Sequence, residues 1–322
     1  MTLLEVEGLR IRLPTTRGLV TVVDGVDYAV EEGEVFGVAG ESGSGKTMSM
    51  LSLLGLLPDG AVVDGRVRFG GNDLLRMPRR RLREVAGRDL AMVFQDPLTS
   101  LHPMLSIGRQ LTEHVQRHLG VGKGEAQRQA VTALEEVRIP DPASALRAFP
   151  HQFSGGMRQR IAIAIALACR PKLLIADEPT TALDVTVQAG ILRLLDRLRR
   201  ENDLSVILIT HDLGVMSAIA DRVSIFYAGR VVEAGSREEV LRAPRHPYTR
   251  ALLDALPHPE AGEDKPLVAI GGAPPNPGAF PTGCAFHPRC AYAVESCYRD
   301  VPPLVAKGDR LLACPPDPFA RR

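Results

Sequence analysis

The run Gly40-Glu41-Ser42-Gly43-Ser44-Gly45-Lys46-Thr47 constrains the fold more than any other feature of the chain. It fits G-x-x-x-x-G-K-[ST], a glycine-rich loop whose backbone N–H groups close on phosphate oxygens. Such a loop works between a strand and a helix N-terminus, and the flanks agree. Val35-Phe36-Gly37-Val38 is a short β-rich run that enters the loop. A helix-forming stretch from Lys46 to about Leu57 leaves it, with Pro58 and Gly60 as its stop. Gly40, Gly43 and Gly45 permit close backbone approach, with Ser42 and Ser44 between them. Lys46 would hold the β- and γ-phosphates of a nucleotide, and the Thr47 hydroxyl would ligate Mg²⁺.

Three further segments add chemistry to this frame. Leu173-Leu174-Ile175-Ala176 is a continuous apolar run, as in strands buried in a parallel sheet, and it ends in Asp177-Glu178. Beside a phosphate loop, Asp177 can position Mg²⁺ through water and Glu178 can polarise an attacking water as general base. Val206-Ile207-Leu208-Ile209 is a second such run, and a helix from about Val187 to Arg200 between the two completes a βαβ unit. Ser154-Gly155-Gly156 then precedes Ile161-Ala162-Ile163-Ala164-Ile165-Ala166, which alternates with period two. The alanines and the glycine pair favour a buried helix over a strand there. A serine and two glycines at a helix start offer N–H donors and the positive dipole end to a phosphate.

Composition excludes several classes. The 322 residues carry 45% hydrophobic and 24% charged side chains, ordinary for a globular protein, and a net charge of +1 gives no electrostatic grip on nucleic acid or an anionic surface. The longest charge-free apolar run near the middle, Ile161 to Cys169, has nine residues, about half of the roughly 20 that a membrane helix needs. The start, Met1-Thr2-Leu3-Leu4-Glu5, lacks the basic and apolar stretches of a signal peptide. The expectation is a cytosolic protein, held at a membrane only by partners.

Seven residues in order, Lys46, Gln95, Ser154, Asp177, Glu178, Asp184 and His211, resemble the motif set of ATP-binding-cassette (ABC) transporter ATPases. The resemblance implies an ABC-type α/β fold with a β-rich N-terminal part, a parallel sheet with helices, and an inserted helical subdomain at about 99–148. It gives Gln95 contact with Mg²⁺ and water, and gives Ser154, Gly155 and Gly156 the γ-phosphate of ATP held by an opposite subunit. Asp184 falls in the dimer-contacting loop, and His211 contacts the γ-phosphate. Phe153 and Met157 replace the commoner leucine and glutamine of the signature. The aromatic residue on which such ATPases commonly stack adenine is missing from Met1 to Asp27, leaving Leu13 or Arg17 to cover the base.

The resemblance narrows further. Phe94-Gln95-Asp96-Pro97-Leu98-Thr99-Ser100-Leu101-His102-Pro103, Pro150-His151-Gln152-Phe153 before the signature, and Arg245-His246-Pro247-Tyr248-Thr249 look like the peptide-importer branch. That branch implies ATP-driven uptake of dipeptides or oligopeptides, with nickel or another small solute as the alternative. A non-transport ABC ATPase is less favoured, because it usually carries two cassettes or a long coiled-coil insertion. Implied partners are two membrane permeases, a second ATPase subunit (a copy or a paralogue) and a solute-binding protein, at the cytoplasmic face of the cell membrane. No nucleic-acid partner is expected.

The ATPase domain is read as 1–256 and a C-terminal extension as 257–322. From Pro257 onward the chain is dense in proline and glycine and poor in core-forming residues, so cysteines or a partner should tie it down. Cys284, Cys290, Cys297 and Cys314 fall within that extension and supply four thiolates, enough for a [4Fe–4S] cluster or Zn²⁺. Their wide, irregular spacing, with Pro288 and Pro315 beside them, leans toward iron–sulfur. Unligated thiols are the remaining reading. Cys169, in an apolar run, is read as core packing.

Overall fold

The computed structural model describes residues 1–16, 18–96, 100–181, 183–256 and 269–320. The chain divides into two compact units, one made of Met1, 31–34 and 76–209, the other of 2–30, 35–75 and 210–322.

The second unit begins with two long strands, β1 (Thr2–Thr15) and β2 (Gly18–Glu31). Alternation explains their length. Leu4, Val6, Leu9 and Ile11 of β1 are buried, and a register shift between Glu7 and Arg10 carries the strand through Gly8. Opposite charges face each other across β1 and β4 (Val62–Phe69), as Glu5–Arg68 and Glu7–Arg66. Cross-strand pairs of this kind support register more than stability. With β5 (Asn72–Asp73) these strands form an antiparallel sheet in the order β2-β1-β4-β5.

Between them runs β3 (Val35–Ala39), buried along its whole length, followed by the phosphate loop and helix α1 (Lys46–Leu54). The helix is shorter than expected. Gly55 adopts a left-handed conformation and caps it three residues before Pro58. Strand β3 pairs in parallel with β9 (Arg222–Tyr227), which turns through Ala228-Gly229 into antiparallel β10 (Arg230–Ser236). A π-helical turn, Glu238–Arg242, and then a short helix, Pro247–Asp254, follow.

In the other unit, β6 (Leu90–Val93), β7 (Leu173–Asp177) and β8 (Ser205–Thr210) are parallel, in register Leu90↔Leu173↔Ser205. The helix Val185–Asn202 joins β7 to β8, slightly longer than anticipated. Helices Ile107–Leu119 and Lys123–Glu136 pack on each other and on Gly155–Leu167, the alternating Ile-Ala segment that is indeed a buried helix. The first of them buries Ile107, Leu111 and Val115, one stripe at helical spacing, under a Ser106 cap.

The C-terminal segment is held by more than its cysteines. Strands β11 (Val305–Lys307) and β12 (Arg310–Leu312) add to β10 through Glu233↔Leu312 and Ala234↔Leu311. Phe286, 3% exposed, packs edge-on against Tyr227 and beside Tyr248 and His246. Glu233 is fully buried and accepts hydrogen bonds from the Arg310 guanidinium at 3.1 Å and from the backbone N–H of Arg245 and His246. Burial pushes its carboxyl above the usual range, which these donors oppose. Arg245 in turn pairs with Asp317.

His246 also sets a pH dependence. Its Nδ1 accepts from the Tyr248 backbone N–H at 3.1 Å, and burial lowers its pKa from 6.5 to about 3. Between those values the unfolded chain binds a proton that the folded chain refuses, so this contribution is full above 6.5 and falls as the pH drops through the window. Denaturant midpoints should decline from about pH 7 to pH 4, and His246→Asn, which keeps an acceptor, should flatten the decline.

Candidate nucleotide site

The phosphate loop is built by crowding. Gly40 sits at φ +147°, and a Cβ there would lie 2.2 Å from the Phe226 carbonyl oxygen. Only glycine fits that combination of angle and neighbour. Ser42 and Gly43 form an exposed crest, whereas Ser44 and Lys46 are buried. The Lys46 ammonium donates to the Gly40 carbonyl at 2.7 Å, the Glu41 carbonyl at 2.9 Å and Ser44 Oγ at 3.3 Å. The lysine is thus held over its own loop, with Gly45 at the N-cap of α1 and Thr47 in the first turn. The loop backbone and helix end present N–H groups toward an anion.

Glu41 is the unexpected member. Its backbone N–H donates to the Tyr248 hydroxyl at 2.9 Å, and its carboxylate takes both Arg289 Nη groups, at 2.6 and 3.0 Å. The carboxylate holds the Arg289 guanidinium well above its ordinary pKa. A signal was available in the sequence, because a carboxylate in an anion-binding loop calls for a cation. Nothing local said that the cation comes from 289.

In the other unit, Asp177 ends β7 at 5% exposure. Glu178 follows at φ +46°, a left-handed conformation that costs a non-glycine residue energy and is found disproportionately at functional sites. Its N–H is fixed by the Ile209 carbonyl at 2.9 Å. Its Oε2 accepts from Gln95 Nε2 at 2.8 Å and from the Thr181 hydroxyl at 2.9 Å. The structure therefore brings Gln95 and Glu178 together and adds Thr181, from the segment that leads to Asp184. The carboxylate is thus aimed by two donors at one oxygen.

Ser154 caps the Gly155–Leu167 helix, its Oγ accepting from Met157 N–H at 3.4 Å. Gly156 lies against the following helix, where a Cβ would come 2.6 Å from Val187 Cγ1. Asp184 caps that helix by accepting from Val187 N–H at 2.9 Å, and Val185 beside it stands 82% exposed. His211 is exposed just after β8. Leu13 is half-buried near the end of β1, and Arg17 lies outside the described residues.

The four extension cysteines share one neighbourhood. Cys314 feels Cys284, Cys290 and Cys297, although burial is the first cause that pushes its thiol up to about 12. Burial also raises Cys284 and Cys290, and the Tyr292 N–H points at Cys290 Sγ from 3.4 Å. Among the described residues, however, no three His, Cys, Asp or Glu side chains close into a group that could hold a metal ion. Cys169 is 6% exposed and raised to about 11 by burial, as expected of core packing.

A phosphate loop after a parallel strand, with a strand ending in a buried Asp followed by Glu and a serine-capped glycine helix, defines an ABC-type ATPase. Residues 23–181 match the family model of the ABC transporter, and residues 232–297 match that of the oligopeptide/dipeptide transporter C-terminal region. The oligopeptide transport ATP-binding protein OppD of Salmonella typhimurium is 46% identical over 97% of this chain and 93% of its own. The dipeptide transport ATP-binding protein DppD of Bacillus subtilis is 46% identical over 95% of this chain and 92% of its own. Among solved structures, the dimeric post-hydrolysis ATP-binding cassette MJ0796 bound to ADP and Pi superposes with a TM-score of 0.65 at 24% identity, over 73% of this chain and 98% of that one. This chain belongs to the oligopeptide/dipeptide-type ATP-binding subunits of ABC transporters.

Replacing Gly40 with alanine should cost about 2 kcal/mol or more of unfolding free energy, because the loop must leave the Phe226 carbonyl. Denaturant unfolding of the purified subunit measures this, and a variant as stable as wild type would show that the loop can rearrange freely.

Proposed function

We propose that this protein powers the import of di- or oligopeptides through a membrane complex by hydrolysing ATP. What carries this reading is coextension. Relatives named for oligopeptide and dipeptide transport align along nearly the whole chain, and residues 232–297 match the model described as the oligopeptide/dipeptide transporter C-terminal region.

Lys46 and the loop N–H groups hold the β- and γ-phosphates. Thr47, Asp177 and Gln95 offer hydroxyl, carboxylate and amide oxygens, a hard donor set suited to Mg²⁺, and when bound this ion neutralises charge on the phosphates. Glu178 takes the role of general base toward the attacking water. Its hydrogen bond from Gln95 supports a coupling between this carboxylate and the residue that contacts Mg²⁺ and water. Ser154, Gly155 and Gly156 direct N–H donors at ATP of a second subunit, a copy or a paralogue, and His211 contacts the γ-phosphate. Exposed Val185 beside Asp184 supports a partner surface there.

Two permeases hold the subunit at the cytoplasmic face of the cell membrane. No helix among the described residues is long and apolar enough to cross it. The helical region at about 99–148 faces those permeases, a reading supported by Met104 standing 77% exposed. A solute-binding protein completes the complex, and solute choice, peptide or nickel, lies outside this subunit.

The four cysteines suit a [4Fe–4S] cluster by donor type and by proximity, but not by a closed coordination group, so no step of the reaction runs through it. Anaerobic purification followed by iron, zinc and sulfide analysis should return about four irons and four sulfides per chain. One zinc instead makes the segment a structural clip, and no metal removes the cofactor from this reading. The hydrolysis assignment has its own test. Glu178→Gln should keep ATP binding, lose about a hundredfold or more of turnover, and accumulate an ATP-dependent dimer on size exclusion. Normal turnover by that variant would remove Glu178 from the chemistry.

A further inference from the structure

Glu41 places a negative charge inside a loop whose task is to attract phosphate, yet the fold surrounds it with specific partners. Arg289 meets its carboxylate as a two-pronged fork, the geometry that makes Arg–carboxylate pairs strong and directional. The Arg289 side chain is only 4% exposed. Its remaining donors are also engaged, Nε with the Gly271 carbonyl at 2.9 Å and Nη1 with the Tyr227 hydroxyl at 3.3 Å. The guanidinium lies 5.9 Å from the ring centres of both Tyr227 and Phe286. Gly272 leaves room for the stem of Arg289, since a Cβ there would lie 3.3 Å from its Cγ. Glu41 itself is fixed at three points: its N–H on Tyr248, its carbonyl under Lys46, and its carboxylate on Arg289.

Arg289 closes the short turn His287–Arg289, immediately before Cys290, so it belongs to the cysteine-bearing segment rather than to the ATPase sequence motifs. A buried cation that far along the chain is not needed to close the loop, which already has its glycines and lysine. It is needed to cancel Glu41. Without it an unpaired carboxylate would stand one residue from Gly40, repelling phosphates and competing for Lys46. Like charges held close in a partly buried site cost more than in water.

We propose that Arg289 is a positioning residue for the ATP reaction, by which the C-terminal segment neutralises and braces Glu41 so that the positive field of the phosphate loop is left to the nucleotide. The inference rests on the reading of Gly40–Thr47 as the ATP site. It makes the C-terminal segment part of nucleotide binding, and it places the coupling at one ion pair.

The test is the dissociation constant of Mg·ATP for the full-length subunit, measured by calorimetry, with thermal unfolding recorded in parallel. Arg289→Met, which keeps the stem packed, should weaken ATP binding about tenfold, and Arg289→Lys, a cation without the fork, should fall between it and wild type. The decisive variant is the double substitution Glu41→Gln with Arg289→Met. It should return affinity to within about threefold of wild type, because the unpaired charge is gone. Unchanged affinity in Arg289→Met, even with a lowered Tm, would reduce the arginine to a structural clip and overturn the proposal. So would a double variant as weak as Arg289→Met alone. Lys46→Ala is the control for the site: if it binds ATP normally, the reading of the loop itself fails, a result distinct from either of those.

Discussion

The phosphate loop exists in this chain because Gly40 can pass beneath the Phe226 carbonyl. That contact ties the loop to β9, and β9 to β3 in parallel register, so the end of one buried strand dictates the path of the next segment. Once the path is set, Lys46 has three oxygens within reach and Thr47 enters the first helical turn. A substitution that shifted the loop would displace all of these together. The chemistry follows from a steric restriction before any charge is considered.

Charge enters in two different ways. Beyond β7, Glu178 is oriented by donors only a few residues or one strand away, and its N–H is bonded to the Ile209 carbonyl. Around the phosphate loop and β10, by contrast, the carboxylates of Glu41 and Glu233 depend on cations contributed from far along the chain, Arg289 and Arg310. Breaking such a pair by removing one partner is worse than never having had it, because the survivor is left without its counter-charge.

Much of this was legible in the sequence where the signal is local. The phosphate loop and the apolar strands at 173–177 and 205–210 announce themselves by composition over a few residues. The Ile-Ala alternation could be resolved as helix because alanine and a glycine pair outweigh a two-residue period. The misses have a common physical origin. β11 and β12 are three residues each, too short to show a period, and exist because β10 offers an edge. The stop at Gly55 was masked by the louder Pro58. The pairs Arg289–Glu41, Arg310–Glu233 and Arg245–Asp317 join residues with no periodic relation, so no window along the chain reveals them. Proximity of the four cysteines was anticipated from their spacing, but whether they close on a metal is not a property of spacing.

The buried Glu233 bears on how this protein can be divided. A cut after residue 256 falls at an apparent composition boundary and looks harmless on paper. It would carry away Arg310, the cation of a fully buried carboxylate, together with the strand that covers it, and Phe286 from the aromatic cluster. The fragment left behind would be more than a shortened ATPase. It would be a chain with a new interior charge and an open sheet edge, disposed to aggregate or to recruit another strand. Where the motifs end is therefore not where the folding unit ends, and a fusion or truncation should respect the strand at 310–312 rather than the last recognisable signature.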